Sequence, residues 1–334
     1  GGRDPAPAAF GPRWFSYTAQ FDRRLILADT VLTQTFVILF FMGIGLASGR
    51  FGCLKEEAQK WLASFVMTLS LPAAILLSAE GPLTPERSTG VFWMLALSAG
   101  SFAITYPLAM LLARRAGPGT HRGLFAASLV FANVGLLGFP LSEALVPGNG
   151  LFYAAFFNLV SNSVFFTFGM RMFRPDGRMG SLRTVLTNPN LVATFTMLVL
   201  FVMNWHLPEL IRHPISLLGS LCSPLSLVLV GAKLAAVRPR ELFAGRALKA
   251  AALIRLVGIP LATIAVLCVL RPPREVAMVL VIMNAMPVAA NTVAAAQQAG
   301  LSSDFCAKSA AFTNLLFPIT LPAILLLAQA VFTW

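Results

Sequence analysis

The sequence predicts an all-α membrane protein of about ten transmembrane helices in two inverted five-helix repeats, with helices four and nine broken near their middles. Three observations carry that expectation. Hydrophobic residues make up 57% of the 334-residue chain and charged residues 11%, with a mean hydropathy of +0.78, whereas a soluble domain is about 25% charged. Apolar runs of the roughly 20 residues that cross hydrocarbon recur from Thr30 to the end of the chain. Helix breakers recur at matched spacings in the two halves.

By hydropathy the spans cover, to within a few residues, 30–48, 58–79, 89–113, 123–146, 150–173, 189–206, 214–237, 247–270, 275–299 and 303–331. This divides the chain into a tail (1–29), a first repeat (30–173), a basic linker (174–188) and a second repeat (189–334). The net charge of +12 invites a nucleic-acid partner, but the basic residues follow the positive-inside pattern instead. Arg50, Lys55 and Lys60 follow span one; Arg114, Arg115 and Arg122 span three; Arg171, Arg174, Arg178 and Arg183 span five; Arg238, Arg240, Arg246 and Lys249 span seven; Lys308 span nine. The alternate loops hold only Arg87, Arg212, Arg271 and Arg274. The richer side is assigned to the cytoplasm, which puts both termini outside, although Arg3, Arg13, Arg23 and Arg24 in the tail run against the pattern. Residues 1–24 lack the charged start, apolar stretch and small-residue cleavage site of a signal peptide. The Ala- and Arg-rich composition with short loops points to a bacterial inner membrane.

The repeat is read from proline and asparagine. Pro72 and Pro107 are 35 residues apart and Pro224 and Pro260 are 36 apart; Asn133 then follows Pro107 by 26 residues and Asn284 follows Pro260 by 24. With five spans in each half, the second copy enters the membrane from the opposite side. Inverted repeats with interrupted helices in matching places point to a secondary transporter and to its midplane site.

The interruptions are Asn133-Val134-Gly135-Leu136-Leu137-Gly138-Phe139-Pro140 in span four and Asn284-Ala285-Met286-Pro287 with Asn291 in span nine. Backbone groups freed in hydrocarbon have no water to bond, so such stretches persist where protein or a wet cavity satisfies them. A half-helix that begins after a break turns unpaired amides and the positive end of its dipole toward the midplane, and two such ends make an anion site without a buried lysine. Pro140 and Pro287 are expected to make the breaks. Asn133, Asn284 and Asn291 either donate to a carboxylate or tie off the freed carbonyls, and Gly135 and Gly138 suit either the site or close helix approach. Arg255, deep in span eight, is costly in hydrocarbon; an anion-binding or proton-linked role and a structural pair are both open to it. The expected substrate-binding set is therefore Asn133, Gly135, Pro140, Asn284, Pro287, Asn291 and Arg255.

Other polar residues read as structural. Lys233 near the end of span seven snorkels to the interface, Glu143 is a rim position or a proton carrier, and Asp304 and Lys308 have ion-pair spacing. Asn158, Asn162, Gln297 and Gln298 suit hydrogen bonds between spans, and His121, His206 and His213 fall near loops. Cys53, Cys222, Cys268 and Cys306 are scattered, with neither disulfide nor metal spacing. There is no GxxxxGK[ST], HExxH or GxSxG, so neither ATP-driven pumping nor common hydrolysis has visible apparatus, and no enzyme activity, cofactor or metal is expected.

The two interruptions, with Ala-Gln-Gln-Ala-Gly after Asn291, resemble the auxin efflux carrier family, which includes PIN-type plant carriers and bacterial carboxylate carriers. Further matches are Gly43-Ile44-Gly45-Leu46-Ala47-Ser48-Gly49-Arg50, Leu71-Pro72-Ala73, Asn188-Pro189, Pro224-Leu225-Ser226-Leu227 with Gly231, and Phe317-Pro318-Ile319-Thr320-Leu321-Pro322. The resemblance covers about residues 31–330. It implies a scaffold of spans one, two, six and seven, a transport domain of the rest, spans four and nine crossing at their breaks, an organic anion bound at the crossing and moved by an elevator-like motion, and a homodimer. Two alternatives stand beside it. One is a sodium-coupled symporter of the bile-acid type, which the lack of a carboxylate in either break disfavours; the other is a membrane receptor that binds an anion without moving it.

Overall fold

The computed structural model describes residues 33–34, 36–80, 84–115, 122–173, 187–235, 245–332 and 334. The tail 1–29, most of the basic linker, His121, Arg238 and Arg240 lie outside them. Regular structure among the described residues is helical, apart from one antiparallel bridge between Ala132 and Val288.

In chain order the helices are α1 (Phe36–Arg50), α2 (Glu56–Leu77), α3 (Pro85–Ala113), α4 (Arg122–Val130), α5 (Val134–Leu145), α6 (Gly150–Phe166), α7 (Pro189–Val202), α8 (Glu209–Ala235), α9 (Arg246–Leu270), α10 (Arg274–Asn284), α11 (Asn291–Gln298) and α12 (Asp304–Val331). Five of them, α2, α3, α8, α9 and α12, are long and apolar enough to cross a membrane by themselves. The predicted span four is divided into α4 and α5, and span nine into α10 and α11. Large apolar side chains such as Phe36, Val269 and Ile319 stand exposed on the outer faces. That distribution suits contact with hydrocarbon rather than water.

The prolines act more mildly than the sequence suggests. Pro72, Pro140 and Pro260 each follow a five-residue π turn, at Val66–Ser70, Val134–Gly138 and Ile254–Gly258. In each case the residue before the proline donates to the carbonyl five positions back: Leu71 to Val66, Phe139 to Val134, Ile259 to Ile254. Proline has no N–H and its ring crowds the carbonyl four residues earlier, so the ladder widens by one residue instead of ending. Pro107 lies inside an unbroken α3. Pro140 is therefore not a break-maker; the first break sits at residues 131–133, ahead of it.

Two groups of helices are visible in the packing. In one, α2 lies against α7 and α8, and α1 meets α8 backbone to backbone: a Cβ on Gly45 would stand 1.9 Å from the Val228 carbonyl oxygen, and one on Gly231 2.0 Å from that of Met42. Only glycine permits that approach. In the other, α3 packs on α4 and α6, α10 on α6 and α9, and α12 on α4, α9 and α10. Helix α8 also touches α5 and α12, and α6 touches α2 and α7, and the face between the groups runs through these contacts.

Candidate functional site

The two breaks meet. Chain 131–133 runs antiparallel to chain 287–289, with the Asn133 amide donating to the Pro287 carbonyl at 2.7 Å and the Ala289 amide to the Phe131 carbonyl at 3.0 Å. The Val288 amide donates to the Thr313 hydroxyl of α12 at 3.1 Å. Backbone that leaves a helix in hydrocarbon must find partners in the protein, and each break supplies them to the other.

Four helix ends converge here with opposite polarity. Helices α4 and α10 end at the crossing and expose carbonyls; α5 and α11 begin there and expose amides. Arg255 serves the first pair. Its guanidinium donates to the carbonyls of Met286 (2.9 Å), Leu129 (2.9 Å) and Asn284 (3.1 Å), and the residue is only 1% exposed. The π turn that precedes Pro260 contains Arg255. A charged donor suits carbonyls at the negative ends of two half-helices. The guanidinium thus faces main-chain oxygens, and it lies outside the lining of the cavity described below; among the roles open to Arg255, the geometry matches the structural one.

The amino ends are left open. At α5 the Asn133 side chain accepts from the Leu136 amide at 3.4 Å as an N-cap, while the amides of Gly135, Ala290 and Asn291 have no hydrogen-bond partner among the described residues. A cavity of about 790 Å3 reaches this point, bounded by Asn133 and Leu136 from the first break and Ala290, Val293, Ala294 and Gln297 from the second. Its remaining wall includes Lys60, Val230 and Lys233 of the first helix group and Asp304, Lys308 and Asn314 of α12. Its volume falls within the roughly 300–1,000 Å3 of small-molecule sites. The one carboxylate on its wall, Asp304, pairs with Lys308 at 2.8 Å, at the spacing read from the sequence.

The predicted site residues separate into distinct roles. Asn133 lines the cavity. Asn291 heads α11, exposed and beside the lining. Asn284, matched to Asn133 by sequence spacing, instead ends α10, and its side-chain amide donates to the hydroxyls of Ser101 (3.2 Å) and Thr263 (3.3 Å). The spacing misleads because the second break, 285–290, is longer than the first. Gly138 gives room to Met283 of α10 and Gly135 to Met67 of α2: an added Cβ would stand 2.7 Å and 2.8 Å from those side chains. Pro287 lies in the second break, with its carbonyl bonded to Asn133, and Pro140 lies within α5, away from the cavity.

Two contributors were missed by sequence reasoning, Thr313 and Asn314. Both are polar residues in the middle of an apolar span, the signal by which Arg255 was found. Asn158 and Asn162, expected to bond between helices, pair with each other along α6 at 3.0 Å. Glu143 lies on α5 beyond the crossing and lines a separate cavity of about 280 Å3 with Ser78, Ser216 and Ser220.

No curated protein matches the chain. A family model described as membrane transport protein matches it as two repeats, at residues 30–184 and 178–325. Together these cover most of the sequence and agree with the likeness read from the interrupted spans. The chain belongs to the membrane transport protein family, the family of the auxin efflux carriers it resembles.

Proposed function

We propose that this protein is a secondary transporter of small organic anions, carboxylates above all, which bind where the two broken helices cross and move with one group of helices past the other. The observation that carries the reading is the set of unpaired amides at Gly135, Ala290 and Asn291, at the heads of two half-helices and beside an open cavity. Such ends favour negative charge without a buried cation. Asn133 adds a side chain that can turn its amide to the ligand.

The elevator part rests on how the crossing is held. Each hydrogen bond that fixes it, from Asn133, Ala289, Arg255 and Thr313, joins α4, α5, α9, α10, α12 or the breaks, and none reaches α1, α2, α7 or α8. The site can therefore travel as a rigid unit against a scaffold of those four. On this reading the ten spans form two inverted repeats, the cavity opens to the cytoplasm, and the scaffold pairs with a second copy in a homodimer.

Counterflow in proteoliposomes loaded with labelled malonate, malate, succinate, monocarboxylates or indole-3-acetate tests the reading, with and without sodium or a pH gradient. Exchange without sodium supports it. Strict sodium dependence would favour a symporter, and binding without flux a receptor.

A further inference from the structure

Three lysines line the large cavity, and two of them are already paired. Lys60 bonds Glu56 at 2.8 Å and Lys308 bonds Asp304 at 2.8 Å. Lys233 has no carboxylate partner among the described residues. It stands in the last turn of α8, on the side of the cavity formed by the first helix group, whereas Asn133 and Ala290 belong to the crossing. A cation on the wall of the same cavity as two helix amino ends gives that space two separate centres of positive potential. Between α8 and the crossing, α12 contributes Asn314, whose Oδ1 is buried without a hydrogen-bond partner. A buried amide oxygen without a partner on a cavity wall invites a hydrogen-bond donor, such as a hydroxyl, from a ligand.

We infer that Lys233 is a specificity-determining residue: it receives a second negative charge of the substrate, so that the site selects dicarboxylates over monocarboxylates of the same length. The inference rests on the carrier reading above. One carboxylate sits at the free amides of the crossing and the other at the Lys233 ammonium, with Asn314 alongside the linking carbons, where a substrate hydroxyl would donate to its oxygen. The cavity, at about 790 Å3, has room for both ends of such a molecule. Because Lys233 belongs to the scaffold, its contact exists in the form of the protein open to this cavity and is released when the crossing moves away. The extra charge contact then contributes to capture and is not carried across.

The test is counterflow of labelled succinate and butyrate in proteoliposomes, comparing wild type with Lys233→Gln, Lys233→Arg and Lys60→Gln, with folded protein measured by size-exclusion chromatography. The expected result is a wild-type preference for succinate, a loss of roughly tenfold in the succinate-to-butyrate ratio of kcat/KM in Lys233→Gln, retention of most of it in Lys233→Arg, and no change of ratio in Lys60→Gln. A wild type that prefers butyrate overturns the inference and leaves the carrier intact. So does a Lys233→Gln protein that loses both substrates in equal proportion, or neither. If wild type moves neither anion while binding or flux is absent for the whole carboxylate panel, the carrier reading itself fails and takes this inference with it.

Discussion

The amide of Asn133 donates to the carbonyl of Pro287 across 2.7 Å, joining two half-helices that are 154 residues apart in sequence. With the return bond from Ala289 to Phe131, it turns two costly breaks into a fixed pair. Carbonyl ends are gathered under Arg255 and amide ends are left to the cavity. The polarity of the site is therefore a property of the chain path.

Asn133→Ala keeps the main-chain bond to Pro287 and removes the cap on α5. A lost N-cap costs about 0.5–2 kcal/mol, so the variant should fold with a modestly lower Tm. Carboxylate affinity should fall by more than that stability loss implies, as read by ligand-induced thermal shift. A large Tm loss with unchanged affinity would assign Asn133 to structure alone.

Arg255→Met should be the most damaging substitution at the crossing. Hydrogen bonds to charged groups are worth about 1.5–3 kcal/mol each, and three carbonyls lose their donor together. Folded yield should collapse, and Arg255→Lys should recover only part of it, because one ammonium does not reproduce the planar fork. Normal yield of Arg255→Met with lost anion binding would instead make Arg255 a ligand to substrate.

Thr313→Val preserves shape and removes the acceptor of the Val288 amide. An unsatisfied buried amide costs about 1–3 kcal/mol, and the second break should loosen. Hydrogen exchange of the Val288 and Ala289 amides should quicken while α1, α2, α7 and α8 remain as protected as in wild type. Uniform loss of protection across both groups would show that the crossing is not a separate unit.

Gly231→Val drives a side chain into the Met42 carbonyl, where a Cβ already has only 2.0 Å. Separation of α1 from α8 should cost at least about 1–3 kcal/mol of overpacking and lower the yield of folded protein. Gly100→Ala, whose added Cβ would meet nothing within 4 Å, should behave as wild type in the same assay.

Much of the architecture is legible in one sequence because hydrocarbon imposes a coarse rule: apolar length sets the helices, and charge is expelled to their ends. The breaks are legible too, since Asn133 and Pro287 sit in runs that would otherwise stay helical. What each breaker does is harder to read. Pro72, Pro140 and Pro260 are absorbed by π turns, an outcome set by how the ladder relaxes rather than by the residue. The division of labour among Asn133, Asn284, Asn291 and Arg255 depends on which half-helix end each one meets, and no spacing encodes that. Asn314 shows the converse: an amide in the middle of a span was visible, and only the cavity beside it gives it a role.

The measurement to make is an electron cryo-microscopy structure with a saturating transported carboxylate. The crossing site requires ligand density within hydrogen-bond distance of the amides of Gly135, Ala290 and Asn291 and of the Asn133 side chain. Density elsewhere, such as in the cavity beside Glu143, with those amides left unoccupied, would contradict it.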